Sequence, residues 1–446
     1  MNLKKKPGLI TLLLALALAA PAAGGPPAGS AGAGRTPLLR KGDRLLMTGD
    51  SITFNRKYSP IVETYLLACH PQLEITCFQS AIYGENTDRF LKRMQATALD
   101  IYRPTVATTA YGMNDGRYGP YQAETGAAFL ANLKAIARTF QQNGCRPILG
   151  SPGLVGPKLE LEYNQTLKKF NELTRQAAAE EKCGYADIHG TMREAWEKLR
   201  KLKGDDYDLI GRDGVHADWN GQMAMATAFI RAFNLPGEIG RIEFDLKKRQ
   251  ATANEGHAVL ETGDNTVTLE SRRYPYCFLW ADHPTRILVE MRTVAGVLGF
   301  FEDFNRFTLV ARNAEPGRYR VTWEGWSETA KRWGGPSLVF DEKQLKAGVN
   351  LAREFDRNPF TNKFLELQSA VATRQEVQNL VPLKQPVPNH LLNLCLQEEP
   401  GLDTALLVKD PVRVQEILYR RILKIRTPIR HRLRMEKIDE PQAAQP

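Results

Sequence analysis

The sequence predicts an α/β protein: a parallel β-sheet with helices on both faces, followed by a smaller β-rich module and a helical C-terminal tail. Three observations predict this fold class. From residue 38 to about 235, short apolar runs alternate with stretches whose apolar residues recur at helical spacing. From 241 to 350, β-branched and aromatic residues alternate between turn signals. Beyond residue 358, the helical spacing returns.

The predicted sheet contains five strands joined by helices. The strands are expected at 44–47, 73–78, 105–109, 147–149 and 185–188. The helices are expected at 60–68, 87–99, 124–142, 163–180 and 219–233. Strands that alternate with helices run parallel, and ligands of such sheets bind beyond the carboxyl ends of the strands. Chemistry is therefore expected in the loops that follow the strands.

The N-terminal residues predict export. Residues 1–20 have the layout of a secretory signal peptide, with three lysines, an apolar run at 9–18 and small residues after it. This run is too short to span a bilayer as a stable anchor. We expect cleavage near Ala19 and a secreted or periplasmic protein, without stable membrane insertion. No cysteine follows the run, so nothing indicates lipid attachment.

Composition divides the rest of the chain into four segments. Residues 21–37 are rich in Ala, Gly and Pro, which predicts a flexible linker. We then expect an α/β domain at 38–240, the β-rich module at 241–355 and the helical region at 356–446. With 446 residues, of which 43% are hydrophobic, the chain has enough apolar material for two domains and a sizeable core. Its formal charge of +10 is compatible with an anionic partner but indicates none.

Six cysteines leave two interpretations open. In an oxidising compartment, Cys69 with Cys77 and Cys145 with Cys183 could form disulfides, and free buried thiols are equally compatible with the sequence. No Cys-x-x-Cys or clustered histidine spacing suggests a structural metal. Glycine-rich phosphate and dinucleotide loops are absent, as is the Gly-x-Ser-x-Gly signature of the α/β-hydrolases. No cofactor, metal or nucleic-acid partner is expected.

Four polar segments are the candidates for chemistry: residues 48–53, 79–87, 110–116 and 212–216. In the first, a glycine lets the backbone turn sharply and Ser51 stands at the start of the next helix. Taken singly, Gly-Asp-Ser is a common turn, Gly-Met-Asn-Asp a helix cap and Asp-Gly-Val-His a turn with a surface histidine. Their order, and their convergence on one rim of the predicted sheet, favour a catalytic site.

These four segments resemble the sequence blocks of the SGNH hydrolases, also called GDSL-type lipases and esterases, over roughly residues 41–235. The resemblance implies a flavodoxin-like sheet and makes Ser51 the nucleophile. It places the oxyanion hole at the backbone N–H groups of Ser51 and Gly84 and at the side chain of Asn114. The last block supplies Asp213 and His216 to complete a catalytic triad.

The second block departs from the family pattern at two positions. Ala81 stands where the family often has an earlier glycine, and Gln79 stands where it usually has asparagine. Both changes affect the conformation of the loop more than the chemistry. The chemistry itself requires a base, because a serine hydroxyl is a poor nucleophile until a neighbouring group takes its proton. His216 is suited to that task, and Asp213 can hold its imidazole in one tautomer.

Other residues have simpler interpretations. His189 follows a predicted strand and is a weaker candidate for the base than for a site-lining or structural residue. Asp50 and Asp115 could bind substrate, but turn or helix-capping roles are favoured. Four tryptophans indicate a β core rather than a sugar-stacking surface: Trp280, Trp323, Trp326 and Trp333. Seven cations indicate a solvated helical face rather than a site for an anionic polymer or membrane surface: Arg420, Arg421, Lys424, Arg426, Arg430, Arg432 and Arg434.

Three functions are compatible with these observations. The leading hypothesis is an esterase that removes acetyl or other short acyl groups from exported or extracellular carbohydrate, a substrate inferred by family analogy. The second is a lipid acylhydrolase, such as a lysophospholipase or thioesterase. The third is an acyltransferase with the same triad, or a glycan-binding protein without hydrolytic activity. The oligomeric state is not indicated.

Overall fold

A computed structural model describes residues 37–278 and 287–438 of the chain. The predicted signal peptide at 1–20, nearly all of the predicted linker at 21–37, and Trp280 lie outside the described residues. Export and the linker therefore stay predictions.

The first part of the chain folds as the predicted α/β layer. Its parallel strands are β1 (Arg44–Gly49), β2 (Thr76–Ala81), β3 (Val106–Ala110), β4 (Arg146–Gly150) and β5 (Gly184–Ala186). Its helices are α1 (Ser51–Phe54), α2 (Tyr58–Cys69), α3 (Thr87–Met94), α4 (Asp100–Tyr102), α5 (Ala123–Gln142), α6 (Glu162–Glu180), α7 (Ile188–Lys203) and α8 (Trp219–Phe233). The strand order β2-β1-β3-β4-β5 is that of a flavodoxin-like sheet, which confirms the predicted fold class.

Both faces of this sheet are covered by helices, because successive apolar residues of its strands pack on opposite sides. Leu45 and Met47 of β1 belong to the core under α2, α7 and α8, whereas Leu46 packs into the core under α3, α5 and α6. Continuous apolar strands are typical of parallel sheets buried on both sides. Helix α7 was not predicted. Its N-cap is Asp187, whose carboxylate accepts a hydrogen bond of 2.8 Å from Gly190 N–H, inside a segment expected to be a strand until 188.

The β-rich module contains two further sheets. Its strands are β6 (Glu238–Asp245), β7 (Gln250–Ala253), β8 (His257–Thr262), β9 (Thr266–Ser271), β10 (Arg306–Arg312), β11 (Arg318–Ser327), β12 (Arg332–Gly334), β13 (Ser337–Asp341), β14 (Val349–Asn350) and β15 (Ile429–Ile438). One sheet has the order β14-β10-β6-β7, and the other has the order β12-β11-β15-β9-β8 with β13 also paired to β11. Phe307 and Trp323 belong to the same apolar cluster as Leu45, so the module and the hydrolytic layer share a core.

Helices flank and follow these sheets. They are α9 (Ile287–Val297), α10 (Phe300–Asp303), α11 (Glu342–Ala347), α12 (Leu351–Glu354), α13 (Thr361–Leu383), α14 (Asn389–Glu398), α15 (Thr404–Leu407) and α16 (Pro411–Ile425). The predicted C-terminal helices are thus present as α13 to α16.

The last described residues correct the expectation of a helical tail up to 446. Strand β15 lies between β9 and β11, antiparallel to both. Its buried side chains His431, Leu433 and Met435 alternate with Arg432 and Arg434, a period of two that suits a strand. The arginine-rich composition concealed this alternation and suggested a solvated helix instead.

Helix α13 covers the β2 edge of the five-stranded parallel sheet. Strand β2 is the edge strand, and its outward backbone groups would otherwise lack partners. The Arg374 guanidinium donates to Cys77 O at 2.8 Å, and Gln79 N–H donates to the Gln378 side chain at 3.0 Å. Arg374 also pairs with the buried carboxylate of Glu63 at 3.0 Å. Side chains one helical turn apart therefore take the place of a sixth strand.

All six cysteines lie in the described part of the chain and are free thiols. The two disulfide pairings that the sequence allowed, Cys69 with Cys77 and Cys145 with Cys183, are not formed. Burial raises the pKa of the Cys145 and Cys183 thiols to about 12, which keeps both protonated. Within residues 37–278 and 287–438, no helix is long and apolar enough to cross a membrane.

Candidate active site

Ser51 stands where the central strand β1 meets helix α1. The turn requires glycine at position 49, because a Cβ there would overlap the Thr53 hydroxyl and lie 3.0 Å from Ala110 O. Asp50 is the N-cap of α1, and its carboxylate accepts a hydrogen bond of 2.9 Å from Ile52 N–H. Ser51 is therefore the first residue of a short capped helix, with a side chain that the site leaves little exposed.

Ser51, His216 and Asp213 form a continuous hydrogen-bonded line. Ser51 Oγ lies 2.8 Å from His216 Nε2, and His216 Nδ1 lies 2.7 Å from Asp213 Oδ2. A carboxylate only accepts, so Nδ1 carries the imidazole proton and Nε2 accepts from the serine hydroxyl. The residues predicted as nucleophile, base and orienting acid are thus brought together from the two ends of the α/β layer.

Asp213 is held ionised by its own loop. Its other carboxylate oxygen accepts hydrogen bonds from Val215 N–H at 2.9 Å and His216 N–H at 2.8 Å. Partial burial opposes the charge, but these bonds and the imidazole outweigh it and lower the pKa of Asp213. An anion beside Nδ1 stabilises the imidazolium that forms when His216 takes a proton.

The loops of the nucleophile and the base are tied to each other by Gln222, a buried residue of α8. Its side-chain oxygen accepts from Tyr58 N–H at 3.2 Å, and its amide donates to Ala217 O at 3.0 Å. Tyr58 begins the helix after the nucleophile, and Ala217 follows the base. A surface ion pair of 2.6 Å between Lys57 and Asp218 spans the same two segments.

The two predicted oxyanion-hole residues lie in loops that follow the strands on either side of β1. Gly84 follows β2 and Asn114 follows β3, and these strands flank β1 in the sheet. Gly84 has a φ of +65°, in the left-handed region that favours glycine. Asn114 Nδ2 donates to Glu85 O at 2.9 Å and, over a longer distance of 3.4 Å, to Asp50 Oδ2 next to the nucleophile. Its two amide hydrogens therefore have acceptors in the Gly84 loop and in the nucleophile loop.

Three buried carboxylates lie in the loops of the site and belong to Asp50, Glu85 and Asp115. Asp115 accepts from Thr87 N–H at 3.0 Å and Gly112 N–H at 3.1 Å, which ties the loops after β2 and β3 together. Glu85 pairs with Arg93 at 2.5 Å. Burial raises the pKa of Asp50 to about 7 against the hydrogen bond from Ile52, and the negative charges of Asp115 and Glu85 add to the shift.

His189 is separated from this arrangement. It lies at the start of α7, where its backbone N–H donates to the Ser151 hydroxyl at 3.0 Å. Burial lowers the pKa of its imidazole to about 4, so the ring stays neutral at ordinary pH. Among the described histidines, His216 is the one hydrogen-bonded to Ser51.

Sequence reasoning missed Gln222 and Tyr118 in the site. Tyr118 is 50% exposed, and its hydroxyl donates to Asn114 Oδ1 at 3.1 Å. Arg117 and Tyr118 both have a positive φ, 53° and 55°, which no sequence pattern of this loop announces. A glutamine inside an apolar helix, as at Gln222, is the kind of signal that could have been followed.

Comparison with known proteins identifies a family for the α/β layer. Residues 47–224 match the model of the GDSL-like Lipase/Acylhydrolase family. The structure is similar to that of BT4096, a gut microbial diltiazem-metabolizing enzyme, with a TM-score of 0.68 and 20% identity over 90% of this chain and 99% of that one. No curated protein is detectably similar to this chain in sequence.

Two smaller structures match the α/β layer less closely. Axe2, an acetylxylan esterase from Geobacillus stearothermophilus, has a TM-score of 0.39 and 22% identity over 44% of this chain and 96% of its own. LAE5, an alpha/beta hydrolase enzyme from the metagenome of Lake Arreo, has a TM-score of 0.38 and 18% identity over 44% and 96%. The likeness in fold therefore rests on BT4096, which also covers the β-rich module.

Residues 47–224 accordingly form a GDSL-like lipase/acylhydrolase domain of the SGNH type. The protein is a carboxylic ester hydrolase.

Proposed function

We propose that the protein hydrolyses esters through an acyl-enzyme on Ser51, with His216 as the base and Asp213 as the group that orients it. The observation that carries the proposal is the line of hydrogen bonds from Ser51 Oγ through His216 to Asp213, with lengths of 2.8 and 2.7 Å. A base within hydrogen-bond distance of the nucleophile, itself oriented by a third group, is the arrangement that activates a serine hydroxyl.

In the first half of the reaction, Ser51 Oγ attacks the ester carbonyl carbon while its proton moves to His216 Nε2. The carbonyl oxygen becomes an oxyanion, which receives hydrogen bonds from the N–H groups of Ser51 and Gly84 and from Asn114 Nδ2. When the carbon–oxygen bond breaks, His216 returns the proton to the alcohol that leaves. A water molecule then attacks the acyl carbon with His216 again as base, and Ser51 recovers its proton.

The exposure of the three residues favours a short acyl group on a large alcohol. Ser51 is 7% exposed, whereas the side chains of His216 and Asp213 are 33% and 54% exposed. The alcohol leaves on the side of His216, because that residue protonates it. A bulky alcohol therefore stays in solvent while the acyl group enters the closed side. We propose acetyl or similar short acyl esters of carbohydrate as substrates.

The test compares acetate release from acetylated polysaccharides with hydrolysis of p-nitrophenyl esters of increasing chain length. Wild type should prefer the acetyl ester and release acetate, and Ser51→Ala should lose both activities. Residual activity in Ser51→Ala equal to that of wild type would contradict the triad. A preference for long acyl chains would contradict the short-acyl proposal and favour a lipid acylhydrolase.

We also propose that the protein acts outside the cytoplasm, on the basis of residues 1–20. Edman sequencing of protein recovered from the medium or periplasm should give a new N-terminus near residue 20. An intact N-terminus in a cytoplasmic fraction would contradict export.

A further inference from the structure

Two tyrosines at the rim of the site make similar contacts. Tyr83 and Tyr118 are 54% and 50% exposed. Each hydroxyl donates to the side-chain oxygen of an asparagine, from Tyr83 to Asn55 at 2.9 Å and from Tyr118 to Asn114 at 3.1 Å. The asparagines differ in position, because Asn55 lies beyond the end of α1 whereas Asn114 belongs to the proposed oxyanion hole.

We infer that Tyr118 is a positioning residue for the oxyanion hole, an inference that rests on the proposed function. An asparagine amide presents a donor on one side and an acceptor on the other. Turned by 180° about its last bond, Asn114 would direct its oxygen toward the developing negative charge. Glu85 O can only accept and therefore requires Nδ2 on its side, and the Tyr118 hydroxyl then donates to Oδ1 and holds the amide from its other end. The second Nδ2 hydrogen makes the longer contact, 3.4 Å to Asp50 Oδ2 beside the nucleophile, and can be shared with the oxyanion there.

The backbone around Tyr118 has a conformation that residues with a side chain disfavour. Arg117 and Tyr118 are consecutive left-handed residues, and neither is glycine. The Tyr118 ring stacks on Tyr163 with centroids 5.2 Å apart, and the Tyr163 hydroxyl donates to Met113 O at 2.5 Å. The turn thus brings the ring back over the residues that precede it, with Tyr163 as its support.

The hydroxyl also remains a donor in the working enzyme. Burial, followed by the charges of Asp50 and Asp213, raises the pKa of Tyr118. The phenol is therefore protonated throughout the neutral range, and the contact with Asn114 does not depend on pH there.

The test removes one oxygen atom at a time. Tyr118→Phe keeps the stacking on Tyr163 but loses the contact with Asn114, and Tyr83→Phe is the matched control that loses the contact with Asn55. On one small p-nitrophenyl ester, Tyr118→Phe should lower kcat about five-fold and change KM by less than about two-fold. Tyr83→Phe should leave kcat within about two-fold of wild type.

A double-mutant cycle separates positioning from general loosening of the loop. Asn114→Ala should lower kcat by about 10² to 10³. Adding Tyr118→Phe to Asn114→Ala should have no further effect, since the hydroxyl then has no amide to orient. Multiplying losses, an unchanged Tyr118→Phe, or an equal loss in Tyr83→Phe would each overturn the inference. Failure of the proposed function is distinguishable, because it would show as an inactive wild type or an active Ser51→Ala.

Discussion

Among the described residues, two serine hydroxyls contact histidine rings at nearly the same distance, one serine in each half of the chain. In the hydrolytic layer, Ser51 Oγ lies 2.8 Å from His216 Nε2. In the β-rich module, Ser271 Oγ lies 2.7 Å from His257 Nδ1 and 2.8 Å from His431 Nε2. Distance alone would make either serine a nucleophile.

The Ser271 contacts belong to a series of hydrogen bonds that runs from Trp323 to Ile239 O. Trp323 Nε1–H donates to His431 Nδ1 at 3.2 Å, so His431 Nε2 carries the proton that Ser271 accepts. The Ser271 hydroxyl then donates to His257, whose other nitrogen donates to Ile239 O at 2.8 Å. The polar atoms of all four side chains are hydrogen-bonded, and a fully bonded polar network makes a core rigid.

Their surroundings separate the two contacts chemically. His216 is hydrogen-bonded to a carboxylate and is partly exposed to solvent. His257 is hydrogen-bonded to a neutral carbonyl instead, and its partner Ser271 is fully buried. Burial lowers the pKa of His257 to about 4 and that of His431 to about 3. An imidazole that takes up a proton only in acid cannot act as the base for a serine near neutral pH. The carboxylate and the access to solvent, not the serine–histidine distance, therefore distinguish a reactive serine from a structural one.

The largest expected effect is on activity at Ser51. Ser51→Ala should lower kcat/KM for a p-nitrophenyl ester by at least about 10³, since nucleophilic attack is lost. Its urea unfolding midpoint should match that of wild type. Ser271→Ala, measured as the folded protein under the same conditions, should keep wild-type kcat/KM, and a comparable loss there would remove the distinction between the two contacts.

The carboxylate behind His216 is the next test. Asp213→Asn retains the size of the side chain but removes the charge that stabilises the imidazolium, so kcat should fall by about 10² or more. The half-exposed position of Asp213 places the expected loss below that of a buried triad acid. Steady-state kinetics of the variant and of wild type at pH 7 to 9 measure this loss. A variant kcat equal to that of wild type over this pH range would show that His216 needs no anionic partner.

Ser271→Ala should act on stability instead. It leaves hydrogen-bonding groups of His257 and His431 without a partner inside the module, so the free energy of unfolding should fall by about 2 kcal/mol. Urea unfolding followed by tryptophan fluorescence reports on it directly, because Trp323 belongs to this series of hydrogen bonds. Wild-type stability in this variant would mean that the series contributes nothing to the core.

A smaller effect is expected on the pH dependence of stability. Below pH 6.5 the unfolded chain protonates His257 and His431, while the folded chain cannot until about pH 4 and pH 3. The folded state should therefore lose stability as the pH falls from 6.5 to 4. Asp50 works in the opposite direction, since its raised pKa makes the folded state bind a proton between pH 3.8 and about 7.

Asp50→Asn removes that opposing contribution and keeps a side-chain oxygen for the helix cap. The acid-induced loss of stability should be steeper in this variant than in wild type, as measured by urea unfolding at pH 4, 5, 6 and 7. Equal slopes would show that Asp50 is ionised in the folded protein over this range.

Sequence reasoning was most successful where local patterns carry the information. The five parallel strands follow from apolar runs, and the loops of Ser51, Gly84, Asn114 and His216 follow from motifs a few residues long. Strand β15 was missed because its partners β9 and β11 lie more than 100 residues away, and alternation within an arginine-rich segment is ambiguous alone.

The supporting residues of the site were beyond sequence reasoning for a similar reason. Gln222 joins residues 58 and 217, and Gln378 of α13 bonds to Gln79 at the sheet edge. Such contacts depend on how distant segments meet, not on what either segment prefers locally. The positive φ of Arg117 and Tyr118 likewise depends on the packing against Tyr163 rather than on the residues themselves.

Covalent trapping shows directly whether Ser51 or Ser271 is the nucleophile. A fluorophosphonate probe reacts with an activated serine hydroxyl, and mass spectrometry of the digested protein locates the adduct. We expect one adduct, on the peptide that contains Ser51, and none in Ser51→Ala. An adduct on another serine, or labelling that persists in Ser51→Ala, would contradict this expectation.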